Sequence, residues 1–170
     1  MSNNTILGID PGTHRLGCGV ISGNPSKSSL IASGCYESKA GTSADIYLPG
    51  IAAELTKIIA AYHPDCLGLE TLLFQKNITT AISVAEARGV IRLQAALHHL
   101  PLLEVAPNTV KLAVAGVGSA GKQEVTRMVG LLLGCDTAEL LDDTTDALAI
   151  ALTTQTIFKS TSTYNLQPKT

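Results

Sequence analysis

The chain has 170 residues, of which 45% are apolar, 15% charged and 4% aromatic, with a mean hydropathy of +0.26. That suits one folded domain with a sizeable core; it excludes a disordered chain and, with no apolar run of about 18 residues, a membrane-spanning helix. Twelve basic residues against fourteen acids leave a net charge of −2, which taken alone speaks against a nucleic-acid partner.

The opening Met1-Ser-Asn-Asn-Thr5 lacks a basic segment followed by an apolar stretch. No export signal is expected, and the cytoplasm is the expected compartment. Thr5-Ile-Leu-Gly-Ile-Asp10 is a short apolar run closed by Pro11-Gly12, and residues 16–21 and 29–37 are similar runs bounded by turn formers. These predict three strands in an antiparallel meander. Ile51, Leu55, Ile58 and Ile59 repeat at helical spacing within residues 45–62, before Pro64. Residues 66–70 form another short strand. A long helical pattern covers 78–100, with Ile82, Ala85, Gly89, Leu93 and Leu97 on one face. That face is expected to be mostly core, with a partner helix as the alternative. A brief strand (102–106), a short helix (109–115), a Gly/Ser loop (116–121) and helices over 122–133 and 143–158 complete the pattern. Residues 159–170 are polar and expected to fray. No repeat or linker interrupts the chain, so 1–158 is expected to be a single domain.

A meander followed by strand–helix alternation predicts an α/β fold with a mixed sheet, three strands antiparallel and the rest parallel, and helices on both faces. A right-handed crossover places residues 66–70 beside the first strand. Asp10 and Glu70 then stand at the carboxyl ends of adjacent central strands, where open α/β sheets carry their sites.

Asp10 in Asp-Pro-Gly also serves as a turn former. Glu70 has apolar neighbours on both sides, where a charge is normally paired or metal-bound; a solvated strand end is the alternative. Asp143 and Asp146 suit the first turn of a helix through its dipole, and at i and i+3 they also share a face. The small apolar run 147–152 predicts close packing on the sheet, which brings that pair toward Asp10 and Glu70. Four convergent carboxylates repel, and oxygen-only ligands favour Mg²⁺ or Mn²⁺. Two such ions suit phosphodiester hydrolysis. The charge is also uneven. Residues 71–135 hold six bases (Lys76, Arg88, Arg92, Lys111, Lys122, Arg127) against three acids, and 136–146 hold five acids and no base. A basic stretch beside an acidic metal centre suits a polyphosphate backbone. Arg88 and Arg92, at i and i+4, share a helix face; a solvated face is one reading of them and their role stays open, while His98-His99 reads as a helix-end pair. Cys18, Cys35, Cys66 and Cys135 lack zinc-ligand spacing and are expected to be reduced thiols.

These residues resemble a family. Ile6-Leu-Gly-Ile-Asp-Pro-Gly-Thr13 with Gly17-Cys-Gly-Val20, Glu70 followed by Gln75-Lys-Asn77 and Ala87-Arg-Gly89, Ala106-Pro-Asn-Thr-Val-Lys111 with Gly116-x-Gly-Ser-Ala-x-Lys122, and Asp142-Asp-Thr-Thr-Asp-Ala-Leu-Ala-Ile-Ala151 occur in the order of the RuvC family, the bacterial Holliday-junction resolvases. The resemblance implies a ribonuclease-H-like fold, a homodimer, and paired symmetrical nicks across a four-way DNA junction that leave 5′-phosphates. It implies two Mg²⁺ per site, with Mn²⁺ as a substitute, held by Asp10, Glu70, Asp143 and Asp146. Lys122 would support catalysis, and Lys76, Lys111 and Lys122 would contact DNA. A RuvA–RuvB branch-migration complex would be the partner. The family's usual aromatic three residues after the Glu is Leu73 here, with Phe74 as the second candidate for engaging unstacked bases. Cys18 replaces a larger ring, and Thr144-Thr145 replace alanines.

The first motif alone also resembles the phosphate-binding opening of actin-like ATPases and sugar kinases. Those need a second ribonuclease-H-like half that this length cannot supply. A small ribonuclease-H-like family of ribosomal RNA maturation shares the strand-end and late Asp but lacks the Ala-Arg-Gly and Gly-x-Gly-Ser-Ala-x-Lys blocks. A catalytically silent junction-binding dimer would not need all four acids.

Overall fold

Alternation along the first strand sorts its residues between two cores. In the computed structural model, which describes residues 3–39, 41–72 and 78–161, β1 (Asn4–Pro11) sends Leu7 and Ile9 to one face and Ile6 to the other, with Gly8 and Asp10 following Ile6. Antiparallel β2 (Arg15–Asn24) and β3 (Lys27–Glu37) complete the meander. After α1 (Ala44–Tyr62), β4 (Cys66–Glu70) returns parallel to β1, and β5 (Leu102–Val105) is parallel to β4. The sheet order is β3-β2-β1-β4-β5, the mixed sheet that the sequence predicts. Helix α2 (Ile78–Leu97) joins β4 to β5, and α3 (Pro107–Ala115), α4 (Lys122–Leu133) and α5 (Asp142–Thr161) follow.

The first core lies between the sheet and the helices α1 and α2, around Leu7, Ile9, Leu16, Leu55, Leu69 and Ile91. The second holds Ile6, Ile21, Val110, Val129, Leu148 and Ile150 under α3, α4 and α5. On this second face the sheet is floored with glycine. Gly8 and Gly68 are register partners on β1 and β4. A Cβ on Gly8 would strike the Ala147 carbonyl and the Ala151 amide nitrogen; one on Gly17 would strike the Asp143 carbonyl, and one on Gly68 the Thr154 side chain. Without those atoms α5 lies directly on the strands, as the small residues of 147–151 predict.

Element boundaries differ where the chain turns sharply. Helix α2 stops at Leu97 rather than at residue 100: His99 takes a left-handed φ of 52°, and the Leu100 amide bonds back to the Ala95 carbonyl at 2.8 Å. Helix α3 begins two residues early, at Pro107, whose fixed φ and missing N–H suit a first turn. Helix α5 begins at Asp142 and continues to Thr161.

The larger correction concerns α2. Its buried residues are Ala87, Arg88, Ile91 and Ala95, whereas Ile82, Leu93 and Leu97 are 56%, 56% and 63% exposed. Ala85 and Gly89 are exposed with them. The row expected to be core is therefore an outer surface. Helix α2 meets the core through Ala87, Ile91 and Ala95, which leaves Ile82, Leu93 and Leu97 outside. The four cysteines are free, as expected. Among the described residues no helix is long and apolar enough to cross a membrane.

Candidate active site

Asp10 follows Gly8 by two residues and Glu70 follows Gly68 by two, so both carboxylates emerge on the α5 face just beyond the glycine floor. The first turn of α5 carries Asp143 and Asp146 to the same end. A cavity of about 310 Å³ opens there, with Asp10, Glu70, Asp146, Lys111 and Lys122 among its walls. A neighbouring hollow shares Asp10 and Glu70 and reaches Thr71, Leu72 and Arg88. Strand ends, α3, α4 and α5 thus each contribute a side chain. Asp143 does not line either space; its carboxylate lies 3.8 Å from an Arg15 Nη, and Arg15 in turn pairs with Glu37 at 2.9 Å.

The cluster is short of positive charge. Burial first, then the charges of Asp146, Glu70 and Asp143, push Asp10 from 3.8 up to about 7, against a smaller opposing effect of Lys122. Glu70 is raised by burial and by Asp146, with Arg88 and Lys111 opposing. Burial also raises Asp146, although the hydrogen bond from Lys122 works against it. For Lys122 burial alone would lower the pKa, but its contacts to Asp146 at 3.1 Å and Asp142 at 3.3 Å outweigh it, and the ammonium is held above its ordinary range.

The donors are carboxylate oxygens, and the raised Asp10 marks negative charge that the protein's own cations leave uncompensated. That chemistry fits a hard divalent cation. Among the described residues no three His, Cys, Asp or Glu side chains stand close enough together to hold a metal ion as they are; Asp146 is paired instead with Lys122 at 3.1 Å.

The backbone beneath the acids is held from the other face. The Tyr47 hydroxyl of α1 donates toward the Gly12 and Arg15 carbonyls, at 3.2 and 2.9 Å, across the turn that follows Asp10. Arg88 of α2 donates to the Glu70 main-chain carbonyl and to the Glu104 carboxylate, and Arg92 pairs with Glu104 at 2.9 Å. The solvated-face reading of these two arginines therefore fails for Arg88, which is buried, while Arg92 is exposed but paired. Arg15 and Glu104 stand in none of the sequence motifs, and Asp142, though it opens the last of them, is not among the expected site residues. His98 and His99 stand exposed at the helix end, as expected. Leu73, Phe74 and Lys76 lie outside the described residues.

A strand-end Asp and Glu facing an acidic helix turn across this sheet define a ribonuclease-H-like domain. The family model described as "Crossover junction endodeoxyribonuclease RuvC" matches residues 6–154. The chain belongs to the RuvC family. It is 44% identical over 147 residues to the crossover junction endodeoxyribonuclease RuvC of Heliobacterium modesticaldum, covering 86% of this chain and 91% of that one. The Moorella thermoacetica enzyme of the same name is 42% identical over 147 residues, covering 86% and 88%. Among solved structures, Thermus thermophilus RuvC in complex with a Holliday junction substrate superposes with a TM-score of 0.87 at 30% identity, covering 92% of this chain and 96% of that one. The fold alone is shared with the yeast mitochondrial Holliday junction resolvase Ydc2, at a TM-score of 0.66 and 15% identity over 94% of this chain and 80% of that one.

Proposed function

We propose that this protein is a structure-specific endonuclease that resolves four-way DNA junctions by metal-dependent phosphodiester hydrolysis, with its nuclease domain within residues 1–158. The observation that carries this reading is the meeting of Asp10, Glu70 and Asp146 with Lys111 and Lys122 around one cavity in a chain of the RuvC family. A Thermus thermophilus member was solved with a Holliday junction substrate.

Asp10, Glu70, Asp143 and Asp146 would hold two Mg²⁺, with Mn²⁺ as a substitute. When bound, the ions supply charge against the scissile phosphate and a water more acidic than bulk. Asp10, its pKa raised by burial and by Asp146 and Glu70, would be the ligand whose ionised form gains most from a nearby cation. Lys122, already tied to Asp146, and Lys111 in the same cavity would steady charge developing on phosphate oxygens. Cleavage would leave 5′-phosphate and 3′-hydroxyl ends. Leu73, Phe74 and Lys76 would engage the DNA just beyond Glu70.

A homodimer would account for paired symmetrical incisions. The exposed Ile82, Leu93 and Leu97 of α2 form the apolar row best suited to a second copy. RuvA–RuvB would be the branch-migration partner, and the cytoplasm the compartment.

The test is cleavage of a synthetic four-way junction beside a linear duplex of the same sequence in Mg²⁺. The junction should be cut in two opposed strands and the duplex left intact; equal cutting of both refutes resolution. Glu70→Gln should slow cleavage on the order of 10³-fold, about 4 kcal/mol, while metal-free junction binding persists. Leu93→Glu should convert the dimer to a monomer in sedimentation velocity.

A further inference from the structure

We propose that Arg88 is a positioning residue that sets the direction of Glu70 by holding its main-chain carbonyl. Among the described residues Arg88 is the one charged side chain that is buried, at 8% exposure. Withdrawing a guanidinium from water is costly unless its donors are used, so its two acceptors are informative. One is the carbonyl of Glu70, the last residue of β4; the other is the carboxylate of Glu104 on β5. Helix α2 is thus tied across two strands at the point where β4 ends.

The peptide unit after a Cα governs where its Cα–Cβ bond aims. A donor on the Glu70 carbonyl therefore orients a carboxylate that Arg88 does not itself touch. Glu104 holds the guanidinium from its far side and is shared with Arg92 at 2.9 Å. A planar fork spans both acceptors, which a lysine ammonium cannot do with the same geometry. The inference rests on the metal-centre reading above, since a direction for Glu70 matters only if it has a ligand to meet.

The experiment is calorimetric titration of the DNA-free protein with Mn²⁺, beside thermal unfolding and metal-free junction binding. Arg88→Gln should weaken Mn²⁺ binding about 10-fold or more, the range for supports one bond behind a ligand, with junction binding unchanged. Arg88→Lys should recover part of the loss. The fold should survive because Glu104 keeps Arg92. If Arg88→Gln does not fold, Glu104→Gln carries the test: it leaves Arg88 in place but releases its far anchor, and Mn²⁺ binding should weaken several-fold. Unchanged Mn²⁺ affinity in a folded Arg88→Gln, or in the folded Glu104→Gln serving in its place, overturns the proposal. Absence of Mn²⁺ binding in the unsubstituted protein is a different result, and removes the metal centre itself.

Discussion

On one face of the sheet Leu7, Ile9, Leu16, Val20, Leu67 and Leu69 meet α1 and α2 with branched or long side chains; on the other, Gly8, Gly17, Gly19 and Gly68 meet α5 with none. The first face packs as an ordinary core. The second gives up side-chain burial there so that a helix can bring Asp146 to the cavity that Asp10 and Glu70 line. Yet the first face also reaches the same strand ends, by donating to carbonyls: Tyr47 to Gly12 and Arg15, Arg88 to Glu70. One face supplies acids, and the other steadies the backbone that carries them.

The contrast is tested most severely by size. Gly8→Val should prevent folding or cost more than about 4 kcal/mol, beyond ordinary overpacking, because the atoms in its way are backbone. Its neighbour on the other face, Leu7→Ala, should cost about 3 kcal/mol by leaving a cavity. Urea denaturation measures both, and a costlier Leu7→Ala would reverse the comparison.

A second test uses charge. Asp10 titrates near 7 in the folded chain against 3.8 for an unperturbed Asp, so between those values the native state binds more protons than the unfolded one. Metal-free stability should then fall as pH rises from 4 to 7, by on the order of 2–4 kcal/mol, and stay low above 7. Asp10→Asn should flatten most of that slope, leaving the smaller part due to Glu70 and Asp146, and raise the metal-free midpoint at pH 8, seen by thermal unfolding. The opposite face offers no such slope: burial pushes Cys18 up to about 12, outside the scanned range. The smallest effect belongs to Tyr47→Phe, about 1 kcal/mol in stability for the lost hydroxyl, with junction cleavage slowed a few-fold. Unchanged cleavage would confine Tyr47 to packing.

What the sequence disclosed follows from how local each feature is. β4 and α4 have the predicted limits; Lys122–Leu133 lies between Gly121 and a left-handed Gly134 that ends the helix. The meeting of Asp10 with Glu70 was legible too, since crossover handedness needs only element order. Periodicity on α2 identified an apolar row but not its cover: Ala87, Ile91 and Ala95 proved to face inward, and Leu93 and Leu97 outward. Arg88 and Glu104, sixteen residues apart on different elements, leave no local trace of their bond. Arg15 beside Asp143 is equally silent, because their proximity depends on α5 lying flat on β2.

The glycine floor also limits how this sequence can drift. When two side chains collide, a second substitution can shorten the partner and restore the fit. Under α5 that remedy is missing, because the obstacles above Gly8 and Gly17 are main-chain atoms of Ala147, Ala151 and Asp143. No change of residue on the helix makes room for a methyl group at Gly8 or Gly17, unlike at Gly19, where the Leu148 side chain stands in the way. A selection for suppressors of Gly8→Ala should therefore return revertants or shifts of the whole helix, and no compensating side chain at 147 or 151.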